Sequence, residues 1–167
     1  MHAIVLQARP GRRLSGISGL LASGVLAAAT LATAAPDARA QTPQKLPTVE
    51  LAAGMHLIKA EVARTPRQQQ IGLMWRTSMG TNEGMLFAFD QPNRQCFWMR
   101  NTLIPLSIAF IEDNGTIVNI DEMKPQTESN HCSDKPVRYV LEMNTGWFHK
   151  RGIKAGSRLS GPPFTTP

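Results

Sequence analysis

Residues 106–121 read LSIAFIEDNGTIVNID. Two apolar, β-branched runs, Ile108-Ala109-Phe110-Ile111 and Ile117-Val118, flank Asn114-Gly115. A tight two-residue turn requires positive φ at both central positions, and Asn-Gly tolerates that conformation best, so the segment predicts a β-hairpin. Similar short runs lie on either side, at Met85 to Phe89, Cys96 to Met99, Leu106 to Glu112, Thr116 to Asp121, Val137 to Met143 and Arg158 to Ser160. Several short strands of this kind imply a mostly β, single-domain sandwich or barrel.

Upstream, His56-Ile58-Ala60-Val62 alternates with Leu57-Lys59-Glu61, the period of a half-buried strand. Thr65-Pro66-Arg67-Gln68 follows. It supplies a cap hydroxyl, a proline at the first helical position and a glutamine three residues after the cap, which predicts one short helix running to about Met74.

Residues 1–40 have the order of a secretory signal peptide. Arg9, Arg12 and Arg13 precede an uncharged run from Leu14 to Ala35, and Ala38-Arg39-Ala40 forms a small-residue cleavage site. The many Gly, Ser and Thr in the run make it a poor stop-transfer segment, so no membrane span is expected after cleavage. Arg12-Arg13 fits either an ordinary basic n-region or a twin-arginine signal. The expected location is periplasmic or secreted. Cleavage after Ala40 removes four Arg and one Asp, which lowers the formal charge from +6 to +3. No Lys/Arg block remains to grip phosphates, which argues against nucleic acid as a partner. The remaining 127 of 167 residues suit one domain. Residues 41–45 read as a flexible start, 46–160 as the folded β domain and 161–167, with three prolines, as a flexible tail.

The blocks GLM (72–74), GMLF (84–87), FWMRNT (97–102) and IPL (104–106), with Val140-Leu141-Glu142 and the turn from Gly152 to Gly156, resemble the bacterial and archaeal domain-of-unknown-function family 192. The resemblance implies a compact, mostly β domain with one short helix on exported or membrane-tethered proteins, and no settled activity. One departure is visible: the family pattern carries an aspartate after Pro-Leu, where this chain has Ser107. That speaks against a catalytic role for a carboxylate at this position.

Cys96 and Cys132 are the only cysteines, and in an oxidising compartment an even pair reads as a disulfide. The alternative is a Cys-His nucleophile using His131, His56 or His149, but nothing in the local sequence lowers a thiol pKa. Met74, Met79, Met85 and Met99, with a histidine, suggest a soft-metal site; without a Met-x-x-Met repeat, core packing is the expectation, and no metal or other cofactor is assigned.

Trp75, Phe87, Phe97, Trp98, Phe110 and Trp147 supply aromatic faces for a pocket or a core. Phe97 and Trp98 are adjacent on a strand and must point to opposite faces. Met99-Arg100-Asn101-Thr102 leads to Pro105 and reads as a turn leaving that strand. Arg64 and Arg138 are expected to pair with Glu142 or Glu61. No familiar catalytic signature is present. The resulting expectation is a non-catalytic module that binds a small molecule or cell-envelope component, with Trp98, Arg100, Asn101, Thr102 and Glu142 as its ligand site. The alternatives are a hydrolase of an envelope polymer or saccharide using Glu142 and a second carboxylate, and soft-metal binding.

Overall fold

The computed structural model describes residues 42–164, so the expected signal segment lies outside the described residues. In chain order the elements are β1 (Thr48–Ala53), β2 (His56–Ala63), α1 (Pro66–Ile71), β3 (Glu83–Asn93), β4 (Cys96–Phe97), β5 (Leu106–Ile111), β6 (Ile117–Met123), β7 (His131–Cys132), β8 (Val137–Asn144) and β9 (Leu159–Ser160). Seven strands form one sheet in the order β6-β5-β8-β3-β2-β1-β9, while β4 and β7 pair separately. The protein is mostly β, as the run of short apolar segments implied. No helix among the described residues is long and apolar enough to cross a membrane.

The sheet curls into a half-barrel because its first and last strands meet at one end. Leu159 N–H donates to the Gly115 carbonyl at 2.9 Å and Ile117 N–H to the Ser157 carbonyl at 2.9 Å. Thr116 bridges Arg158, and β9 pairs with β1 through Leu159 opposite Ala53.

Strands β2 and β3 run parallel, which requires a crossover, and α1 lies within it. The helix starts as the sequence predicts: Gln68 N–H donates to Thr65 Oγ1 at 3.3 Å and Thr65 N–H to Gln68 Oε1 at 3.0 Å. It stops at Ile71 rather than about Met74, because Gly72 leaves the helical region at φ 50°, a position where a Cβ would lie 3.3 Å from the Phe87 ring.

The expected hairpin joins β5 and β6, but with a different turn. Gly115 alone takes positive φ, at 85°, and its N–H donates to the Glu112 carbonyl at 2.9 Å; Asn114 instead accepts from Thr116 N–H through its side chain. Two positive-φ residues are therefore not needed. Glycine is required for a second reason: a Cβ on Gly115 would lie 2.2 Å from the Leu159 carbonyl oxygen, at the seam of the curled sheet.

Both faces of the central strands are covered, so they read as nearly continuous apolar runs and all six residues of β5 are buried. Leu86, Ala109, Ile111, Leu141 and Met143 pack on one face with Trp147, Phe148 and Phe164. Met85, Phe87, Ile108, Phe110 and Val140 pack on the other, beneath Leu73, Met99 and Ile104. Each large side chain fully buried here contributes roughly 1.5–3 kcal/mol. The stretches read as loose ends also make contacts: Gln44 Nε2 donates to the Gln68 and Gly72 carbonyls, and Phe164 packs edge-to-face on Tyr139.

Candidate functional site

Glu142 lies in the middle of β8, opposite Met85 of β3 and Ile108 of β5. Strand alternation puts its side chain on the same face as Val140, within the second apolar layer, and the residue is 4% exposed. No hydrogen bond or ion pair reaches its carboxyl among the described residues, and burial alone pushes its pKa up to about 8. At neutral pH the group is therefore mostly the neutral acid, able to donate one hydrogen bond and accept others.

The carboxyl opens into a cleft of about 220 Å³ between α1 with the chain just beyond it and the β4 region. Phe87, Phe89, Phe97 and Trp98 supply aromatic walls, and Leu73 and Thr102 also line it. Phe97 is fixed by edge-to-face contacts with Phe87 at 4.8 Å, Phe110 at 6.2 Å and Phe89 at 6.4 Å. Thr102 is buried, whereas Trp98 is 43% exposed. Strand β4 ends at Phe97, so the alternation expected of neighbouring strand residues does not govern Trp98, and both rings line the same cleft, with Trp98 at its rim.

Of the five expected ligand residues, Trp98, Thr102 and Glu142 line the cleft, and Arg100 and Asn101 do not. The Arg100 guanidinium stacks 4.1 Å from the Trp98 ring centroid and makes a two-pronged pair with Glu128, at 2.9 and 3.0 Å. This pair raises the Arg100 pKa and holds the Glu128 carboxyl below its usual range, chiefly through their hydrogen bonds. Asn101 sits in the left-handed region at φ 59°, where asparagine is better tolerated than most residues. Its carbonyl accepts from Trp75 N–H at 2.8 Å, while Gln126 N–H donates to the Thr102 carbonyl at 3.1 Å; Trp75 and Gln126 are also left-handed. Three such residues around one turn show that the FWMRNT block is shaped by its neighbours across space.

Cys96 and Cys132 face each other across the β4–β7 pair and form a disulfide. Neither retains a thiol, which removes the Cys-His nucleophile; His131 pairs with Asp121 instead. Met85 and Met99 are fully buried in the apolar core. The expected ion pairs are rearranged. Glu61 pairs with Arg76 at 2.8 Å, and Arg138 with Asp113 at 3.2 Å. Arg138 cannot reach Glu142 because it stands four residues away along β8, roughly 13 Å of extended chain. Glu61 is held below its usual pKa, burial being outweighed by its hydrogen bonds from Arg76 and Leu46 N–H and by nearby positive charge. Among the described residues no second carboxylate lines the cleft.

The serine that departs from the family pattern is fully buried and donates to Glu122 Oε1 at 2.6 Å, directly across the β5–β6 ladder. Gly146 N–H donates to Ser107 Oγ at 2.8 Å, and Thr145 Oγ1 to Glu122 Oε2 at 2.7 Å. A carboxylate is thus present at this strand end, carried by β6 instead of β5. Gln69, Gln70, Gly72 and Leu73 also line the cleft, and local sequence hardly signals their contribution. The one available signal is Gly72, which turns the chain out of the helix against Phe87.

Residues 48–161, well over half of the chain, match the family model DUF192, described as Uncharacterized ACR, COG1430. A crystal structure of a candidate transcription regulator from Sinorhizobium meliloti 1021 is similar at 38% identity, covering 68% of this chain and 92% of that one, with a TM-score of 0.64. A protein of unknown function from Novosphingobium aromaticivorans DSM 12444 is similar at 35% identity, covering 73% of this chain and 94% of that one, with a TM-score of 0.65. Nothing among curated proteins matches. The match over 48–161 and the two structural relatives together establish that this chain belongs to the DUF192 family.

Proposed function

We propose that this chain is an exported, non-catalytic binding module, periplasmic or secreted, that takes a small molecule or a small group of an envelope component in the Glu142 cleft. The observation that carries the reading is Glu142, a residue 4% exposed that lines the cleft among apolar and aromatic side chains, with no ion pair or hydrogen bond to its carboxyl among the described residues. A perturbed titratable group in an aromatic-walled cleft is the expected form of a small-molecule site. In this reading Trp98, Thr102 and Glu142 touch the ligand. Arg100 holds the Trp98 ring, and Asn101 shapes the turn that presents both.

The test is a fragment screen on the purified chain by two-dimensional NMR, with Glu142→Gln and Trp98→Ala as variants. Hits should perturb Leu73, Trp98 and Thr102 and weaken in both variants while thermal unfolding stays cooperative. Hits that map elsewhere, or affinities that both variants leave unchanged, would reject the site. Export is tested separately by the mass of the protein recovered from the cell envelope, which should begin at Gln41.

A further inference from the structure

We infer that the ligand of the Glu142 cleft is a small organic cation, an amine whose ammonium head meets the Glu142 carboxylate within the aromatic walls. This deepens the binding role proposed above and rests on it. Three observations set the charge of the ligand. Among the described residues, Glu142 is the only ionisable side chain lining the cleft and no Lys, Arg or His lines it, so an anion would find no counter-charge there. Phe87, Phe89, Phe97 and Trp98 line the cleft, and aromatic faces attract cations through the ring quadrupole. Finally, the guanidinium of Arg100, two residues beyond Trp98, is held outside: Arg100 does not line the cleft and is engaged by Glu128 and by the Trp98 ring. The cleft therefore combines a carboxyl and aromatic walls, with no cationic side chain among the described residues that line it.

The protonation of the free site supports the same ligand. With its pKa raised to about 8 by burial, Glu142 is mostly protonated at neutral pH. When a protonated amine enters, the carboxyl O–H bond breaks, the proton passes to solvent, and an N–H···O⁻ bond forms between the ligand and Glu142. The ammonium keeps all its own protons, so the step releases up to about one proton per ligand below the carboxyl's pKa. The β3 and β5 residues flanking Glu142, Met85 and Ile108, carry no charge to compete in this exchange.

The experiment compares three probes of one shape on the purified chain: benzylamine, benzyl alcohol and benzoate. Calorimetry in two buffers of different ionisation enthalpy measures affinity and proton release, and NMR maps the site. Benzylamine should bind in the cleft at least about tenfold more tightly than benzyl alcohol, release a proton, and lose about tenfold or more in Glu142→Gln. Benzoate should bind worst. Trp98→Leu, changed at the exposed rim, should also weaken benzylamine and guards against misfolding of the buried variant. If benzyl alcohol binds in the cleft as tightly as benzylamine, or benzylamine binds without proton release and equally to Glu142→Gln, the cation assignment is wrong while the binding site stands. If none of the three perturbs the cleft up to its solubility limit, both the cation assignment and the site fail.

Discussion

Trp75 and Asn101, both in the left-handed region of the backbone, are tied together by a 2.8 Å hydrogen bond from the Trp75 N–H to the Asn101 carbonyl. The bond joins the segment after α1 to the turn after β4, two pieces of chain that border the cleft. The Asn101 side chain makes only a long contact with Met74 Sδ, at 3.9 Å. Its residue type is thus explained by backbone conformation.

Asn101→Gly should accordingly be nearly neutral, because glycine adopts positive φ freely, whereas Asn101→Ala should cost about 1 kcal/mol. Chemical denaturation of both variants measures the difference. Equal losses would mean that the amide itself, and not the turn, sets the requirement.

Ser107 and Glu122 form a coupled pair across β5 and β6. Ser107→Ala should cost about 1 kcal/mol, since it strips one of two acceptors from the half-buried Gly146 N–H and a donor from Glu122. Ser107→Asp, which installs the carboxylate of the family pattern, should also destabilise because two carboxylates then face each other directly. Adding Glu122→Ser to Ser107→Asp should recover most of that loss. A double mutant no better than the sum of its single changes would show that the two positions are independent.

The Cys96–Cys132 disulfide closes a loop with a sequence separation of 36. On the chain-entropy model, cross-linking over this length stabilises by about 4 kcal/mol. Unfolding of the chain with and without reductant should show a loss of several kcal/mol, and thiol titration of the unfolded, non-reduced protein should find no free thiol. Two free thiols in protein recovered from an oxidising compartment would contradict the pairing.

The architecture was legible where local chemistry acts alone. Alternation in His56–Val62, the Thr65–Gln68 capping box and the apolar runs of β3, β5 and β8 each encode their element within a few residues. What escaped depends on distant partners. Strand β1 and the short β7 are defined by what they pair with. The turn at Asn114-Gly115 takes its form partly from Leu159, which is remote in sequence. The site was legible in part for the same reason. Trp98, Thr102 and Glu142 were identifiable as residue types, but only the β8 register places Glu142 on the face beneath them. Arg100 looked like a ligand clamp until its partner Glu128, 28 residues away, came into view.

Stability should fall as pH rises through the range between the ordinary carboxylate value of 4.5 and about 8. Over that range the unfolded chain gives up the Glu142 proton while the folded chain keeps it, so the native state binds more protons and loses stability with increasing pH. Below the range the group is protonated in both states and contributes no difference; above it the loss levels off. Glu142→Gln removes this slope. Relative to the wild type, the variant should gain stability steadily from about pH 5 to pH 8, by several kcal/mol in total. A difference that stays constant with pH would contradict a buried neutral carboxyl.

The most direct measurement is the titration of the Glu142 side-chain carboxyl carbon itself, by NMR of the ¹³C-labelled chain assigned with Glu142→Gln. A midpoint near 8 in the free protein, displaced downward by saturating benzylamine, is the result expected of an unpaired acid at the floor of a cation-binding cleft. A midpoint near 4.5 that the amine leaves unmoved would mean that the carboxyl is already solvated or paired, and the cleft would lose the feature that marks it as a site.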